Sequence, residues 1–324
     1  MVCAGSTVYT VTLNPALDCY IQADDFLLGS ISRYGQPVLL PGGKGINVSL
    51  LLSSLGLDTV AIGFLAGFTG RELSDMLKRR GCPQYFSFLS QGLTRVNLKI
   101  LSKGGQETAL NGQGPPVPPQ ELEQLEQRLA TMLRPGDFLV LSGSIPGSMQ
   151  QDIYPRLARA RPQDVRLILD AGGQALRQGL SSKPFLIKPN LEELAEFFAA
   201  DNLLDEAADQ AKRDREILRY ARKLQRMGAK NVAVTLGAQG ALLLTESGDA
   251  LRRPALPGRA VSSIGAGDSF VAGFIYGMKT CGDMSGALDW ATAAGAATAF
   301  SGGLADAEAV TELYKQHFAG KNLS

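Results

Sequence analysis

Short apolar or alternating runs, each followed by a stretch whose apolar positions recur every three or four residues, set the rhythm of this chain. The runs at 6–13 (STVYTVTL), 59–65 (TVAIGFL), 137–143 (DFLVLSG), 165–170 (VRLILD), 185–189 (FLIKP) and 231–236 (NVAVTL) predict buried β-strands. Residues 46–56, 70–81, 118–133 and 215–228 carry helical spacing instead. Three of these four stop at a glycine, as helices often do. Strand–helix alternation of this kind implies an α/β fold, a mostly parallel sheet with helices on both faces.

Two segments break the rhythm. Residues 19–40 and 85–111 alternate polar and apolar positions with turn glycines between them, and read as antiparallel hairpin strands inserted into the α/β frame. Together they predict a small sheet over one end of the core. Patterning alone serves a lid and a plain edge extension equally well. The stretch GQGPPVPP (112–119) is a local turn, and no internal repeat is visible.

Charge then narrows the function. Lys plus Arg number 32 against 31 Asp plus Glu, so the chain lacks the basic excess of a nucleic-acid or membrane-surface protein. A small anionic ligand needs only a few cations and stays open. Cys3, Cys19, Cys82 and Cys281 are scattered without a CxxC, the pattern of reduced thiols in a cytoplasmic protein. The start of the chain lacks the pattern of a signal peptide, and no apolar run reaches the ~18 residues of a membrane span. The single histidine, His317, falls in a predicted helix end, so acid–base chemistry must come from carboxylates or lysines.

In open parallel sheets ligands bind beyond the carboxyl ends of the strands, so the loops leaving those ends carry the chemistry. The first strand ends in NPALD, supplying Asn14 and Asp18; a carboxylate there can take two hydroxyls of a sugar or simply make a turn. PGGKGINVS (41–49) offers Gly42, Gly43 and Gly45 for close backbone approach, with Lys44 and Asn47 on the helix start that follows. Its spacing is that of neither the nucleotide P-loop nor GxGxxG. GLTRVNLK places Arg95, Asn97 and Lys99 on one alternating strand face, where a guanidinium and an ammonium suit a phosphate. At the exit of FLIKP stand Lys188, Asn190 and Glu193. The last two read as a capping box, and equally as oxygen ligands organising hydrated Mg²⁺. TLGAQGALLL turns at Gly237 and Gly240, either as a plain hairpin or with Thr235 and open amides toward nucleotide phosphates.

The stretch SSIGAGDSFVAGF (262–274) sets Gly265, Ala266 and Gly267 before Asp268 at the start of an apolar helix. Free amides there form an anion cradle, yet an aspartate beside them would repel a resting anion. The pairing makes sense for a phosphoryl group in transit, with Asp268 taking the proton of the attacking hydroxyl and the amides holding the charge that builds.

Taken together, GGKGINVS, KPNLEEL, TLGAQG and SIGAGDS resemble the ribokinase-like sugar kinases of the phosphofructokinase-B family, from TVTLNPALD through AAGAATAFSGGLA. NPALD, TRVNLKI, NGQGP and SGSIPGS are most similar to the family's bacterial 1-phosphofructokinases, with tagatose-6-phosphate kinases as the nearest rival. The resemblance implies a single ribokinase-like domain over 1–324, lid strands inserted at about 19–40 and 85–111, and transfer of the γ-phosphate of ATP to the 6-hydroxyl of fructose 1-phosphate. It implies Asp268 as base and Gly265, Ala266 and Gly267 as anion hole. Asn14, Asp18, Gly42, Gly43, Lys44, Asn47, Arg95, Asn97 and Ser144 would hold the sugar, with Lys44 and Arg95 on its phosphate. Lys188, Asn190, Glu193, Thr235, Gly237 and Gly240 would serve ATP, with Mg²⁺ at Asn190 and Glu193. It further implies homodimers paired through the lids, Arg33 reaching the neighbouring site. Where many family members have Asp-Thr before the glycine loop, this chain has Ser263-Ile264, so activation by a monovalent cation is not implied. A sugar-phosphate sensor that has lost catalysis is the alternative from another class, and the intact Asp268 and Gly-Ala-Gly weigh against it.

Overall fold

Valine, isoleucine and leucine runs with no polar face can be satisfied only where helices cover both sides of a sheet, and they form the middle of one here. The computed structural model describes residues 5–319 except 24, 25, 27, 28, 103–106 and 205–208. In chain order the strands are β1 (Val8–Thr12), β2 (Ala16–Gln22), β3 (Val38–Gly42), β4 (Thr59–Ala66), β5 (Gln84–Leu89), β6 (Arg95–Leu101), β7 (Glu107–Asn111), β8 (Phe138–Ser142), β9 (Arg166–Asp170), β10 (Leu186–Ile187), β11 (Asn231–Thr235), β12 (Ala241–Leu244) and β13 (Ala250–Arg253). The helices are α1 (Lys44–Ser54), α2 (Gly67–Arg79), α3 (Pro119–Met132), α4 (Ile153–Arg159), α5 (Gly173–Gly179), α6 (Leu191–Phe198), α7 (Gln210–Arg226), α8 (Ala266–Thr280), α9 (Met284–Phe300) and α10 (Ala307–His317).

The main sheet has nine strands in the order β13-β12-β11-β10-β9-β8-β1-β4-β5. From β5 to β11 every pairing is parallel; β12 and β13 close one edge as an antiparallel meander. Side chains alternate between its two faces. Leu139, Leu141, Leu167 and Leu169 pack toward α3–α7, while Phe138, Val140 and Ile168 pack toward α1 and α8–α10. Helix α2 joins α1 through Ile46, Leu50, Leu73 and Leu77. The predicted helix stops at Gly56, Gly81 and Gly228 are all left-handed, with φ of 79°, 65° and 131°. The strand predicted at 185–189 shrinks to two paired residues, because Pro184 and Pro189 on either side have no amide to donate.

A second, four-stranded sheet runs β3-β2-β6-β7. Its two hairpin-like pairs, β2 with β3 and β6 with β7, are antiparallel as expected, and a parallel seam between β2 and β6 joins them. Residues 85–89 do not belong to it. They form β5, parallel to β4 at the edge of the main sheet, so the second insertion begins only at Arg95. An edge strand covered on one side shows the same alternation as a hairpin strand, and period alone does not separate the two.

Three features of this frame position the chemistry. Strand order reverses at β1, with β4 on one side and β8 on the other, which opens a crevice at their carboxyl ends. The tightest helix pairing is α8 on α9. Gly273 and Gly277 there lie so close to α9 that a Cβ on Gly277 would sit 2.6 Å from the Cα of Ala287. Buried Ser269 and Thr298 share a 2.7 Å hydrogen bond in that seam, which fixes the first turn of α8. That turn meets α1, which carries Asn47.

Candidate active site

The carboxyl ends of β1, β8, β9, β10 and β11 and the amino ends of α1, α6 and α8 converge on one crevice. Asn14 follows β1 and Ser144 follows β8, and the Asn14 amide donates to the Ser144 hydroxyl at 3.1 Å across the point where strand order reverses. A cavity of about 380 Å³ opens beside them, lined by Lys44, Gly143, Ser144, Ile145, Gln151, Gly172 and Ala175.

At the centre lies Asp268, buried in the first turn of α8. Its Oδ2 accepts from Asn47 Nδ2 at 2.7 Å. Burial, reinforced by the negative charge of Asp170, pushes the Asp268 carboxyl up to about 6; Lys44, the Asn47 amide and Lys188 oppose the rise. Gly265 caps α8 with φ 77°, a left-handed conformation that glycine adopts without cost. The first amides of a helix have no partner within it, and here Ala266 N reaches only the Ser263 carbonyl, at 3.3 Å. A Cβ on Gly267 would stand 3.1 Å from Lys188 Nζ, so the glycine keeps the cradle open to that ammonium.

Asp170, at the end of β9, was not singled out by its sequence context, and it organises the site. Its Oδ1 pairs with both Lys44 Nζ and Lys188 Nζ at 3.3 Å, and its side chain is only 1% exposed. Burial alone would raise this carboxyl, yet the two ammonium groups together hold it below the usual carboxylate range. Asp170 in turn holds Lys44 firmly protonated against the opposing effect of burial, helped by Asp268 and Glu193. Asp170 Oδ2 is buried with no hydrogen-bond partner among the described residues. The signal that could have found it is its position: VRLILD ends on an aspartate at the carboxyl edge of a predicted central strand.

The Asn190–Glu193 capping box is present, with Glu193 N donating to Asn190 Oδ1 at 2.6 Å and Asn190 N to Glu193 Oε2 at 2.9 Å. The box leaves Glu193 Oε1 turned toward Gly172. Asp170 Oδ2 and Glu193 Oε1 are thus two carboxylate oxygens with coordination to spare, the hard donors a hydrated Mg²⁺ takes. Asn190 and Thr235 form a parallel bridge between adjacent strand ends, which sets the two side by side. Gly237 (φ 54°) has open space where a side chain would go. Gly240 instead backs onto the main chain of Arg253 and Pro254, so close packing is the reason for that glycine.

The small sheet forms the opposite wall. Asp18 on β2 and Asn97 on β6 are register partners, and Asn97 Nδ2 donates to Asp18 Oδ1 at 2.8 Å. Burial raises the Asp18 carboxyl against that hydrogen bond and the charges of Lys99 and Arg95. Gly42 leaves room for it, since a Cβ there would fall 2.5 Å from the Asp18 carboxyl carbon. Gly43, with φ 124°, opens α1. Arg95 Nε donates to the Asn14 carbonyl at 3.1 Å, and burial lowers its guanidinium below the ordinary value. Lys44 and Arg95, both expected on the sugar phosphate, are held by different partners, Lys44 by the Asp170 carboxylate and Arg95 by the Asn14 carbonyl. Arg33, on the stretch between β2 and β3, is exposed. His317 ends α10 as its position predicted.

Comparison with known proteins follows the same outline. The profile of the pfkB family carbohydrate kinases matches residues 5–310. The 1-phosphofructokinase of Bacillus subtilis is 39% identical over 309 residues, covering 94% of this chain and 97% of that protein. The D-tagatose-1-phosphate kinase of Bacillus licheniformis is 34% identical over 310 residues, covering 95% and 98%. The crystal structure of Escherichia coli phosphofructokinase-2 in complex with fructose-6-phosphate superimposes with a TM-score of 0.85 at 28% identity, over 96% of this chain and 99% of that one. Matched from its first strand to its last helix, with a buried aspartate at a glycine-capped helix start, the chain belongs to the pfkB family of carbohydrate kinases.

Proposed function

We propose that this kinase transfers the γ-phosphate of ATP to the 6-hydroxyl of fructose 1-phosphate, giving fructose 1,6-bisphosphate and ADP. The observation that carries the reading is Asp268: a buried carboxylate, held by Asn47, next to the glycine-framed amides of α8. A carboxyl whose proton leaves near pH 6 is ionised at neutral pH, yet basic enough to take the proton of an attacking alcohol. The α8 amides and Lys188 then oppose the charge that spreads over the transferring phosphoryl oxygens. Lys44, tied to Asp170, serves that transferring group as well as the sugar phosphate. Asp18 and Asn97 take sugar hydroxyls, with Asn14 and Ser144 beside them, and Arg95 receives the 1-phosphate. Asn190, Glu193, Thr235 and Gly237 face ATP. Mg²⁺ would be oriented by Asp170 Oδ2 and Glu193 Oε1, and when bound it supplies charge that screens the phosphates.

The small sheet serves in this reading as a lid and as a dimer contact. Val38, Leu39 and Leu110 are exposed on its strands and Ile31 and Tyr34 on the stretch before β3, apolar surface that a second copy would cover. The enzyme is assigned to the cytoplasm, in keeping with the unpaired Cys19, Cys82 and Cys281. A tagatose 1-phosphate acceptor is the second reading, favoured by the 34% identical relative of that name. It also shifts the expected tagatose rival from the 6-phosphate to the 1-phosphate, leaving the 6-hydroxyl as acceptor. ADP release measured with fructose 1-phosphate, tagatose 1-phosphate and fructose 6-phosphate tests the assignment. The highest kcat/KM belongs to fructose 1-phosphate; a preference for fructose 6-phosphate overturns it.

A further inference from the structure

A larger cavity, of about 830 Å³, lies at the other end of the sheet, where the strands begin. Gly136 precedes β8, Arg166 opens β9, Phe185 precedes β10 and Lys230 precedes β11, and all four line it. The length of β9, about 13–17 Å, separates Arg166 here from Asp170 at the active site. The two sites share no lining residue.

The lining is strongly basic. Arg159, Arg161, Arg166, Lys183 and Lys230 surround the space, against only Asp164 and Glu246. Lys230 is paired with Glu246 at 3.3 Å, whereas the other four cations have no carboxylate partner among the described residues. The whole chain carries 32 basic against 31 acidic side chains, so this concentration is not the by-product of a basic protein. Four like charges around one cavity repel one another, and an anion between them removes that cost.

Two details go beyond charge. Arg166 lies 5.4 Å from the Phe138 ring centroid and 5.3 Å from that of Phe185, and its Nη1 is buried without a hydrogen-bond partner among the described residues. A buried cationic donor left unmade is expensive, and burial already lowers both Arg166 and Arg161 below the ordinary guanidinium value. Lys183 holds a left-handed φ of 49°, a conformation that non-glycine residues seldom adopt, at the rim of the same cavity. Arg161 has a structural task as well, donating to the carbonyls of Ala158 and Ser182, which fixes its guanidinium beside the space.

We propose that this cavity is a second binding site, for a small phosphate ester carrying at least two negative charges. The volume is that of a small-ligand pocket. The Phe185 ring and Pro162 offer an apolar rest for its organic part. The site does not rest on the assignment of the sugar substrate.

Inorganic pyrophosphate is the probe. Calorimetric titration compares the wild type with Arg159→Glu/Lys183→Glu, which alters two exposed side chains outside the catalytic machinery and leaves kcat/KM unchanged. A control pair, Arg71→Glu/Arg80→Glu, makes the same change in net charge on α2 and the residue that caps it. The wild type and the α2 pair bind one equivalent more per chain than the cavity pair, whose affinity for that equivalent falls at least tenfold. Hydrogen exchange of the complex shows added protection at residues 158–167 and 183–185 in the wild type and the α2 pair, and none there in the cavity pair. Superimposable isotherms for all three proteins, or an equal loss in the α2 pair, would overturn the proposal, as would protection confined to the active-site loops.

Discussion

Asn47 and Asp268 stand 221 residues apart in the chain and 2.7 Å apart in the fold, the amide nitrogen of one on the carboxylate of the other. The contact joins the first turn of α1 to the first turn of α8. It favours the charged form of a carboxyl that burial and Asp170 push the other way. The balance between these influences sets the pH at which the proposed base becomes available, and each side can be removed separately.

The pH profile tests that balance. Asp268 loses its proton near pH 6 and works as a base only when ionised, so kcat/KM falls about tenfold per unit once the pH drops well below 6. Asn47→Ala removes the hydrogen bond that lowers this value, and the acid limb moves to higher pH. A limb that stays in place, or moves to lower pH, contradicts the assignment of Asp268 as the titrating base.

Replacing the base separates catalysis from folding. Asp268→Asn keeps an acceptor for Asn47 and cannot take a proton, and turnover falls by roughly 10²–10⁴-fold with little change in the KM for the sugar phosphate. Its stability moves the other way. A carboxyl raised from 3.8 to about 6 by the fold costs stability while ionised, above pH 6, and the cost vanishes as pH falls from 6 toward 4. The variant therefore melts on the order of 2 °C higher at pH 7.5, and the gap narrows to about a third of that at pH 4.5. Equal melting temperatures across that range would show that Asp268 is not strained by ionisation.

The buried Asp170 has the opposite sign. Its carboxyl is held below the ordinary range, so its stabilisation is present above pH 4 and is lost as pH falls through its folded-state value. Asp170→Asn leaves Lys188, with a side chain 4% exposed, as an uncompensated charge, and destabilises the protein by about 3 kcal/mol at pH 7.5. Adding Lys188→Met removes the stranded charge and restores most of that loss in urea unfolding, although the double variant is inactive. If the second substitution adds its own loss instead, the pair is not the source of the effect.

Much of this was legible from the chain, for reasons that differ by residue. Strands β1, β4, β8, β9 and β11 follow from apolar runs that fit only a covered parallel sheet, and the ends of α1, α2 and α7 follow from the glycines beyond them. Asp268, Asn47, Lys188 and Glu193 lie beside glycine loops or caps, where local chemistry marks them. Asp170 has only its place at the end of a predicted central strand to mark it; what sets it apart from any other strand-end carboxylate is two lysines brought from residues 44 and 188, a long-range fact that no window of sequence contains. The hold of the Asn14 carbonyl on Arg95 was hidden for the same reason. The placement of 85–89 failed differently, because a one-sided edge strand and a hairpin strand share a period of two.

Gly42 offers a test of the sugar wall that leaves the base untouched. Its φ is not left-handed, so alanine is tolerated by the backbone, but the added methyl would lie 2.5 Å from both the carboxyl carbon and Oδ2 of Asp18. The carboxylate must move, and its hydrogen bond from Asn97 with it, at a cost in stability of about 1–3 kcal/mol. If Asp18 holds sugar hydroxyls, Gly42→Ala raises the KM for fructose 1-phosphate about tenfold, the loss of about 1.4 kcal/mol of binding, while the KM for ATP stays within twofold. Asp18→Asn in place of the glycine change gives the same split without any added volume, since a neutral amide accepts fewer hydroxyls than a carboxylate. An increase in the KM for ATP of the same size in either variant would mean that the crevice has deformed as a whole, and Asp18 would lose its place on the sugar.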